Sequence, residues 1–578
     1  MSKKNKSAFY SIKMGFLLFA SVCFVYSNGI EVPFQYDDLH SIRDNPNIKK
    51  ISNIPVFFKE ANMFTADERS SMYRPIVLVS YALNYYFDGL RVNGYHWLNI
   101  FVHSVNSVLL IVLGRRLGLT GPAGIFSAFL FAFHPINTET VNYLSSRSES
   151  LSALFTLCAL ISYTALRSKR HLSLVLYLTS VFCFCLSLLT KSVGLMLIPV
   201  IFLYEWTFFT RKGSLAFYRL AIPYVVVGIF YVYKVRSMLE ISLVTAPVRS
   251  LETQISTQFK AMIQYVDWLF FPWPLSVEPS FTEGTEITLF LLCIAISISV
   301  AWFWWKSNSI IHFCIGWAFL SILPTILVPL NVLVNEHRLY LVTMSFTIGL
   351  CSLFQQHQGK RLRKVSYTGI LAITIFTCMD FIRTQEWLDP RTLWQSAKKV
   401  GPHMPRPYIF LGDLDYEAGF HERAIQNYAR ALIVQPNHLS GGDMFSIYSG
   451  IGRANLALGK WAQAKQSYSA ALRIDPRSES TKNALTAINA LHSEAKRKKS
   501  EDLLREGLLA LVSGQLETAI DMLNKSVVIM PEIRNLQALA KAYARAEKLE
   551  QSDSVYNIIQ NYEIGDEMSD DSQEKPFE

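Results

Sequence analysis

A few residues beyond the first apolar stretch the chain reads Tyr36-Asp37-Asp38. Two adjacent carboxylates at the mouth of a multi-span apolar region are poorly explained by packing. The pair points to chemistry instead. The packing alternative is a helix cap, with a short helix starting near Leu39; one carboxylate can cap, and the second then lacks a role.

A second set of residues is cationic. Arg147, Lys191 and Arg338 fall in short connections on the side of the apolar region where basic residues are normally depleted. Arg74 lies in a longer loop, as Met72-Tyr73-Arg74-Pro75 just ahead of an amphipathic stretch. Arginine offers two parallel donors to a lipid phosphate and lysine a point charge, so several cations on one surface suit a polyprenyl-phosphate sugar. Pairing with headgroups, or with Glu139, Glu149 or Glu336, is the alternative for each. The run His134-Pro135-Ile136-Asn137-Thr138-Glu139 emerges where a span ends at its proline. There His134 is either a site residue or a satisfied interfacial histidine.

The elements that must position these residues are membrane helices. The 578-residue chain is 51% hydrophobic and only 17% charged, with the apolar residues concentrated in its first two thirds. Spans are predicted over 9–29, 95–114, 122–138, 149–166, 171–189, 193–209, 217–235, 286–305, 309–330, 338–355 and 366–382, about eleven in all. Short basic connections (Lys3 to Lys13, Arg115-Arg116, Arg167 to Arg170, Arg211-Lys212, Lys306, Lys360 to Lys364) fall on one side, which predicts a cytoplasmic N-terminus and an outward C-terminal region. The same connections account for much of the net charge of +10, so nucleic-acid binding is not expected. The first span has a basic start and only a weak cleavage site at Ser27-Asn28-Gly29, and is expected to remain as a signal anchor. All eight cysteines lie inside predicted spans, which excludes a disulfide framework in the loops. Two long outer loops, about 30–94 and 237–285, contain periodic stretches at Ile76 to Phe87 and Ile255 to Phe271 that predict amphipathic surface helices.

Beyond the spans the chain repeats itself. Ala424, Tyr428, Ala431 and Pro436 recur as Ala464, Tyr468, Ala471 and Pro476, and more weakly as Ala519, Leu523, Ser526 and Pro531. Gly412, Gly452 and Gly507 hold the small-residue position upstream of each set, and Gly419, Gly459 and Gly514 mark turns. The pattern resembles tetratricopeptide repeats, with insertions at Ser440 to Asp443 and in a charged helix near 480–502. A unit around Leu539, Tyr543 and Tyr556 reads as a cap, followed by an acidic tail expected to be disordered. The division expected is a membrane domain over 1–385, a repeat domain over 386–562 and the tail over 563–578. The solenoid offers a groove for an extended polypeptide and contains no cluster of catalytic residue types.

Taken together, these runs resemble the transmembrane and tetratricopeptide-repeat O-mannosyltransferases and their bacterial relatives, within the GT-C class of glycosyltransferases. The matching pieces are Tyr36-Asp37-Asp38 with Ile42, Asn45 and Pro46; Tyr73-Arg74-Pro75; Gly94 to Asn99 with His96, and His103; His134-Pro135 with Glu139 and Arg147-Ser148-Glu149; Lys191; and Glu336-His337-Arg338-Leu339-Tyr340-Leu341. The resemblance implies an all-α fold, a GT-C-like helical membrane domain followed by the repeat solenoid. It implies transfer of a sugar, mannose by analogy, from a polyprenyl-phosphate donor to a protein hydroxyl by an inverting mechanism. Asp37 would be the base and Asp38 its neighbour, with the roles reversible. Arg74, Arg147, Lys191 and Arg338 would neutralise the leaving phosphate, and His96, His134, Glu139 and His337 are further site candidates. Where relatives read Lys-Glu, this chain has Lys191-Ser192. A stretch typical of animal members, between the seventh and eighth spans, is not recognisable. That favours a bacterial inner membrane with the repeats in the periplasm, the alternative being the endoplasmic reticulum with the repeats in the lumen.

Two other classes fit parts of the sequence. A non-catalytic repeat scaffold for envelope glycan assembly predicts that neither aspartate matters. A lipid-sugar transporter should place charges near the midplane of several spans, whereas most charges here sit at span ends. Paired carboxylates can hold a divalent ion, but no further acidic cluster with ligand spacing appears, so no metal and no cofactor are expected.

Overall fold

A computed structural model of the protein describes residues 3–66, 72–168, 171–209, 214–245, 251–283, 287–306, 308–328, 332–355, 359–434 and 439–570. The described residues form helices and connecting turns, with no strand among them. They divide into two compact units, Met1–Ala418 with Ala429–Ser440, and Gly419–Tyr428 with Gly441–Glu578.

In the first unit every predicted span has a helix. Among the described residues, five are long and apolar enough to cross a bilayer: Ile12–Gly29, Val92–Leu117, Leu144–Arg167, Ser192–Phe209 and Ser309–Leu327. Gly121–Ala132 and Leu174–Thr190 are shorter apolar helices. This is a multi-pass membrane protein, and its polarity is arranged for lipid. Phe16, Phe24, Val175, Phe230 and Trp305 face outward. Polar side chains lie between helices instead, where Ser152 and Thr156 of the Arg147–Arg167 helix share hydrogen bonds with Ser187 of Leu174–Thr190 (3.0 and 2.9 Å). Lipid gives helices no hydrophobic reason to associate, so small residues and interhelical hydrogen bonds do so. Both predicted surface helices form, over Pro75–Asp88 and Leu251–Phe270.

The site elements are short pieces between long helices. After Gly121–Ala132 the chain breaks at Pro135 into single turns, Pro135–Asn137, Thr138–Asn142 and Leu144–Ser146, before Arg147–Arg167 begins. Lys191 sits in a hairpin closed by Ser192–Met196. A Cβ on Gly194 would lie 2.6 Å from Ser187 Oγ and 2.9 Å from its carbonyl carbon, so this hairpin requires glycine. Beyond the last apolar helix, Pro390–Val400 and Arg406–Glu417 also pack within the first unit.

The second unit is a row of helix pairs: Gly441–Ala457 with Trp461–Ile474, Glu479–Val512 with Leu516–Ile529, and Ile533–Arg545 with Leu549–Asp570. The repeat positions Ala464, Tyr468, Ala471, Ala519, Leu523 and Ser526 are buried. Gly459 and Gly514 make the turns at positive φ (+70° and +81°), a conformation glycine adopts without Cβ strain. The charged helix near 480–502 is continuous with the first helix of the next pair. The last helix runs to Asp570, into the acidic segment expected to be disordered. Pro436, Lys169-Arg170, Arg211-Lys212 and residues 571–578 lie outside the described residues.

Candidate active site

Tyr36 holds an unusual backbone conformation, φ +54°. For a bulky residue this costs on the order of 1–3 kcal/mol and persists only where the surroundings enforce it. Here its ring is enclosed by Phe410, Tyr143 and Trp394, with centroids 5.2, 5.9 and 6.1 Å away. The two carboxylates that follow enter different environments.

Asp38 is 1% exposed. It accepts hydrogen bonds from Ser145 N (2.7 Å), Ser145 Oγ (2.6 Å) and Gln35 N (3.3 Å). It occupies the N-cap position of the Leu39–Arg43 turn, yet its side chain makes no capping bond. Asp38 therefore ties the aspartate loop to the turn before Arg147. Burial pushes its pKa up to about 7, against the hydrogen bonds of Ser145 and Gln35 and with some help from the Asp37 charge. We expect Asp38→Asn to destabilise the fold by about 1–3 kcal/mol, because an amide cannot accept from all three donors. The native state holds the proton of Asp38 that the unfolded chain releases near 3.8, so this group's contribution to stability falls as pH rises from 3.8 to about 7. Melting temperature against pH, for wild type beside the variant, would lose that slope; a parallel pair of curves would contradict this role.

Asp37 is the accessible member, its side chain 45% exposed. Its Oδ1 lies 3.3 Å from His40 Nε2, and His40 Nδ1 lies 2.8 Å from Thr65 Oγ1. The Asp37 amide donates to Tyr143 Oη (3.2 Å). Burial works against its ionised form, but the hydrogen bonds from His40 and Tyr143 and the charges of His40 and Arg406 outweigh it and hold the pKa below 3.8. At neutral pH Asp37 is a carboxylate able to accept a proton.

Three of the four sequence-selected cations converge. Lys191 Nζ pairs with Glu149 Oε1. Arg74 donates to Ser148 Oγ (3.3 Å), beside Glu149 in the chain. Arg338 is fixed by donating to the carbonyls of Val332 (2.8 Å) and Leu333 (3.1 Å), which uses two of a guanidinium's five N–H groups. The charges of Arg74 and Arg338 both act on Lys191 and on His337. His337 Nδ1 lies 2.8 Å from Glu139 Oε1, and its Nε2 lies 4.0 Å from Glu149 Oε1. Positive charge thus collects around a short acid–histidine chain.

Arg147 is not in this group. It is fully buried, donating to Asn99 Oδ1 (2.7 Å), Asn84 Oδ1 (2.7 Å), Tyr95 O (2.8 Å) and Ser80 Oγ (3.2 Å) beneath the Tyr81 ring. Those contacts lock the helix start against the Pro75–Asp88 surface helix. His96 and His134 also stand apart, each buried with Nε2 on a backbone carbonyl, of Val32 (2.8 Å) and Leu269 (3.0 Å). Glu336 is engaged by Arg383 Nη2 (2.9 Å) and Ser276 N (2.6 Å).

A small cavity is lined by Tyr36, Glu139, Tyr143, Asn335, Trp387, Trp394 and Arg406, among others. Tyr143 joins it to Asp37 and Glu139 joins it to His337. Sequence reasoning passed over Tyr143, Trp387, Trp394 and Arg406. The available signal was two tryptophans in the short segment between the last span and the repeats, where a linker has no need of them.

The chain is 24% identical over 512 residues to protein O-mannosyl-transferase TMTC3 of Homo sapiens, covering 80% of this chain and 55% of the relative. It is 24% identical over 472 residues to protein O-mannosyl-transferase F38B6.6 of Caenorhabditis elegans, covering 76% and 65%. The chain spans about half the length of the first of these relatives. A crystal structure of ArnT from Cupriavidus metallidurans bound to undecaprenyl phosphate aligns with 78% of this chain and 79% of its own, at 10% identity and a TM-score of 0.36, too low to establish a shared fold. No protein-family model matches the chain.

Proposed function

We propose, taking similarity to protein O-mannosyl-transferases as the premise, that this chain is a membrane glycosyltransferase moving a sugar from a polyprenyl-phosphate donor to a protein hydroxyl. The observation that carries the reading is the pairing of an accessible, ionised Asp37 with a separate cluster of cations, in which Arg74 and Arg338 act on Lys191 and His337.

In this reaction the acceptor oxygen attacks the anomeric carbon. The carbon–oxygen bond to phosphate breaks with its electron pair going to phosphate, and the hydroxyl proton passes to Asp37. Attack opposite the leaving phosphate inverts the anomeric centre. A carboxylate held at low pKa is a weak base, which suffices when the attacked carbon already has oxocarbenium character and the proton moves late. Negative charge grows on the departing phosphate, where preset cations stabilise the transition state without reorganising. The side chains supply that charge, so neither metal nor cofactor enters the proposal.

The positive-inside pattern supports a cytoplasmic N-terminus, with catalysis and repeats on the outer, periplasmic face of a bacterial inner membrane. On that face the solenoid would hold the acceptor polypeptide or a partner.

The test is transfer of labelled sugar from polyprenyl-phosphate mannose, glucose or galactose to endogenous proteins by membranes containing the chain, with a chelator present. Labelled protein is expected, with an acid limb below pH 3.8 for the ionisation of Asp37. An absence of label from every donor, with and without added divalent ions, would overturn the reading.

A further inference from the structure

The first span, Ile12–Gly29, runs beside the Val92–Leu117 helix. The two touch where Cys23 meets Ser104 (3.5 Å) and where the Phe19 and Phe101 rings cross edge to face at 5.8 Å. Toward the start of the first span a groove of about 480 Å³ is walled by Ile12 and Phe16 from one helix and by Val108 and Val112 from the other, with Arg115 and Arg116 at its end. Sequence spacing alone produces this layout. Ile12 and Phe16 are four apart, as are Val108 and Val112, and the arginines continue the second row one turn further on. Ile12, Phe16 and Val112 are exposed (70%, 75% and 39%), and within a span that surface meets lipid. The volume lies in the range of roughly 300–1,000 Å³ that ligand sites occupy. Apolar walls along its length suit an acyl chain, and two guanidinium groups at one end suit a phosphate. Among the described residues, none that lines the groove is acidic. A zwitterionic headgroup would therefore bring its own ammonium against the arginines, with nothing there to receive it.

We propose that this groove is a site for one anionic phospholipid, its acyl chain along Ile12, Phe16, Val108 and Val112 and its phosphate on Arg115 and Arg116. Basic pockets between membrane helices hold anionic headgroups in this way. Bound there, the lipid ties the first span to the Val92–Leu117 helix. The site is remote from the candidate active site. Asn99, which accepts from Arg147, lies sixteen residues before Arg115 on the same helix, about 24 Å along its axis. A phosphate on Arg115 and Arg116 is thus out of reach of Asp37, which favours a bilayer phospholipid over the sugar donor. The proposal is independent of the glycosyltransferase reading.

The test is native mass spectrometry of the delipidated full-length chain in detergent, titrated with phosphatidylglycerol, phosphatidylcholine or polyprenyl phosphate. Wild type should retain phosphatidylglycerol at least about tenfold more tightly than phosphatidylcholine, the preference two cations at a headgroup can supply. Arg115→Gln/Arg116→Gln should abolish that preference. Val112→Trp, which fills the groove and leaves both charges in place, should weaken phosphatidylglycerol about tenfold. Phosphatidylglycerol should also raise the melting temperature of wild type and of neither variant. Should Val112→Trp fail to fold, Phe16→Ala, which removes one exposed wall, takes its place. Equal retention of the two phospholipids by wild type would overturn the proposal. Unaltered retention in the groove variant would also overturn it, because anionic lipid would then gather at the basic end without entering the groove. Tighter retention of polyprenyl phosphate than of phosphatidylglycerol would overturn the choice of occupant.

Discussion

Asp37→Asn should lower sugar transfer about 10²- to 10⁴-fold, the range expected for loss of a positioned general base, with thermal stability close to wild type. The substitution preserves shape at a half-exposed position and removes the group proposed to take the acceptor's proton. Its neighbour behaves differently because Asp38 is buried under three donors, so Asp38→Asn should act first on stability. The adjacent carboxylates are therefore separable by experiment: kcat falls with a normal melt at Asp37, and the melt falls at Asp38. A reversal of that pattern would exchange their roles. Equal transfer by wild type and Asp37→Asn would leave the chain without an identified base.

Removal of Lys191 should have the second largest effect. Lys191→Met takes one preset cation from the leaving phosphate, a loss of about 10²- to 10³-fold in kcat by comparison with other preorganised electrostatic groups. It also leaves Glu149 buried without its partner, which costs about 3–5 kcal/mol in comparable buried pairs. The two effects separate in Lys191→Met/Glu149→Gln, where the stranded charge is neutralised. Stability should return in the double variant and transfer should not. Recovery of transfer along with stability would make the Lys191–Glu149 pair a purely structural clamp. The pair also bears on Ser192, where the family resemblance implies a glutamate. Glu149 already provides a carboxylate on Lys191, from a different helix.

Much of this architecture was legible in the sequence because its signals are local. A run of apolar residues long enough for a bilayer needs no knowledge of tertiary contacts, and each predicted span has its helix. The repeats were equally readable, since alanine, tyrosine and glycine recur where paired helices cross. The site was legible in part. Charges in short outer connections singled out Lys191 and Arg338, the setting Met72-Tyr73-Arg74-Pro75 ahead of an amphipathic stretch singled out Arg74, and the acid and histidine at Glu139 and His337 meet as neighbours although 198 positions separate them. The same charge signal selected Arg147, whose contacts are all inside the fold. A cation that locks two helices and one that awaits a phosphate look alike in sequence, and only burial and donor count distinguish them. Asp38 was recognised as unusual, but its bond to Ser145 spans 107 positions and no local rule reaches that far. The aromatic wall was missed because Trp387 and Trp394 lie in the stretch assigned to the repeat domain, and their place beside Tyr36 and Tyr143 depends on the chain folding back.

The most direct test of the central claim is transfer of label from polyprenyl-phosphate mannose, glucose or galactose to protein, by purified wild type and Asp37→Asn at equal concentrations of folded chain. Label with at least one donor in wild type, and none above background with Asp37→Asn, is the predicted result. Equal label from both, or none from wild type with any of the donors, would contradict it.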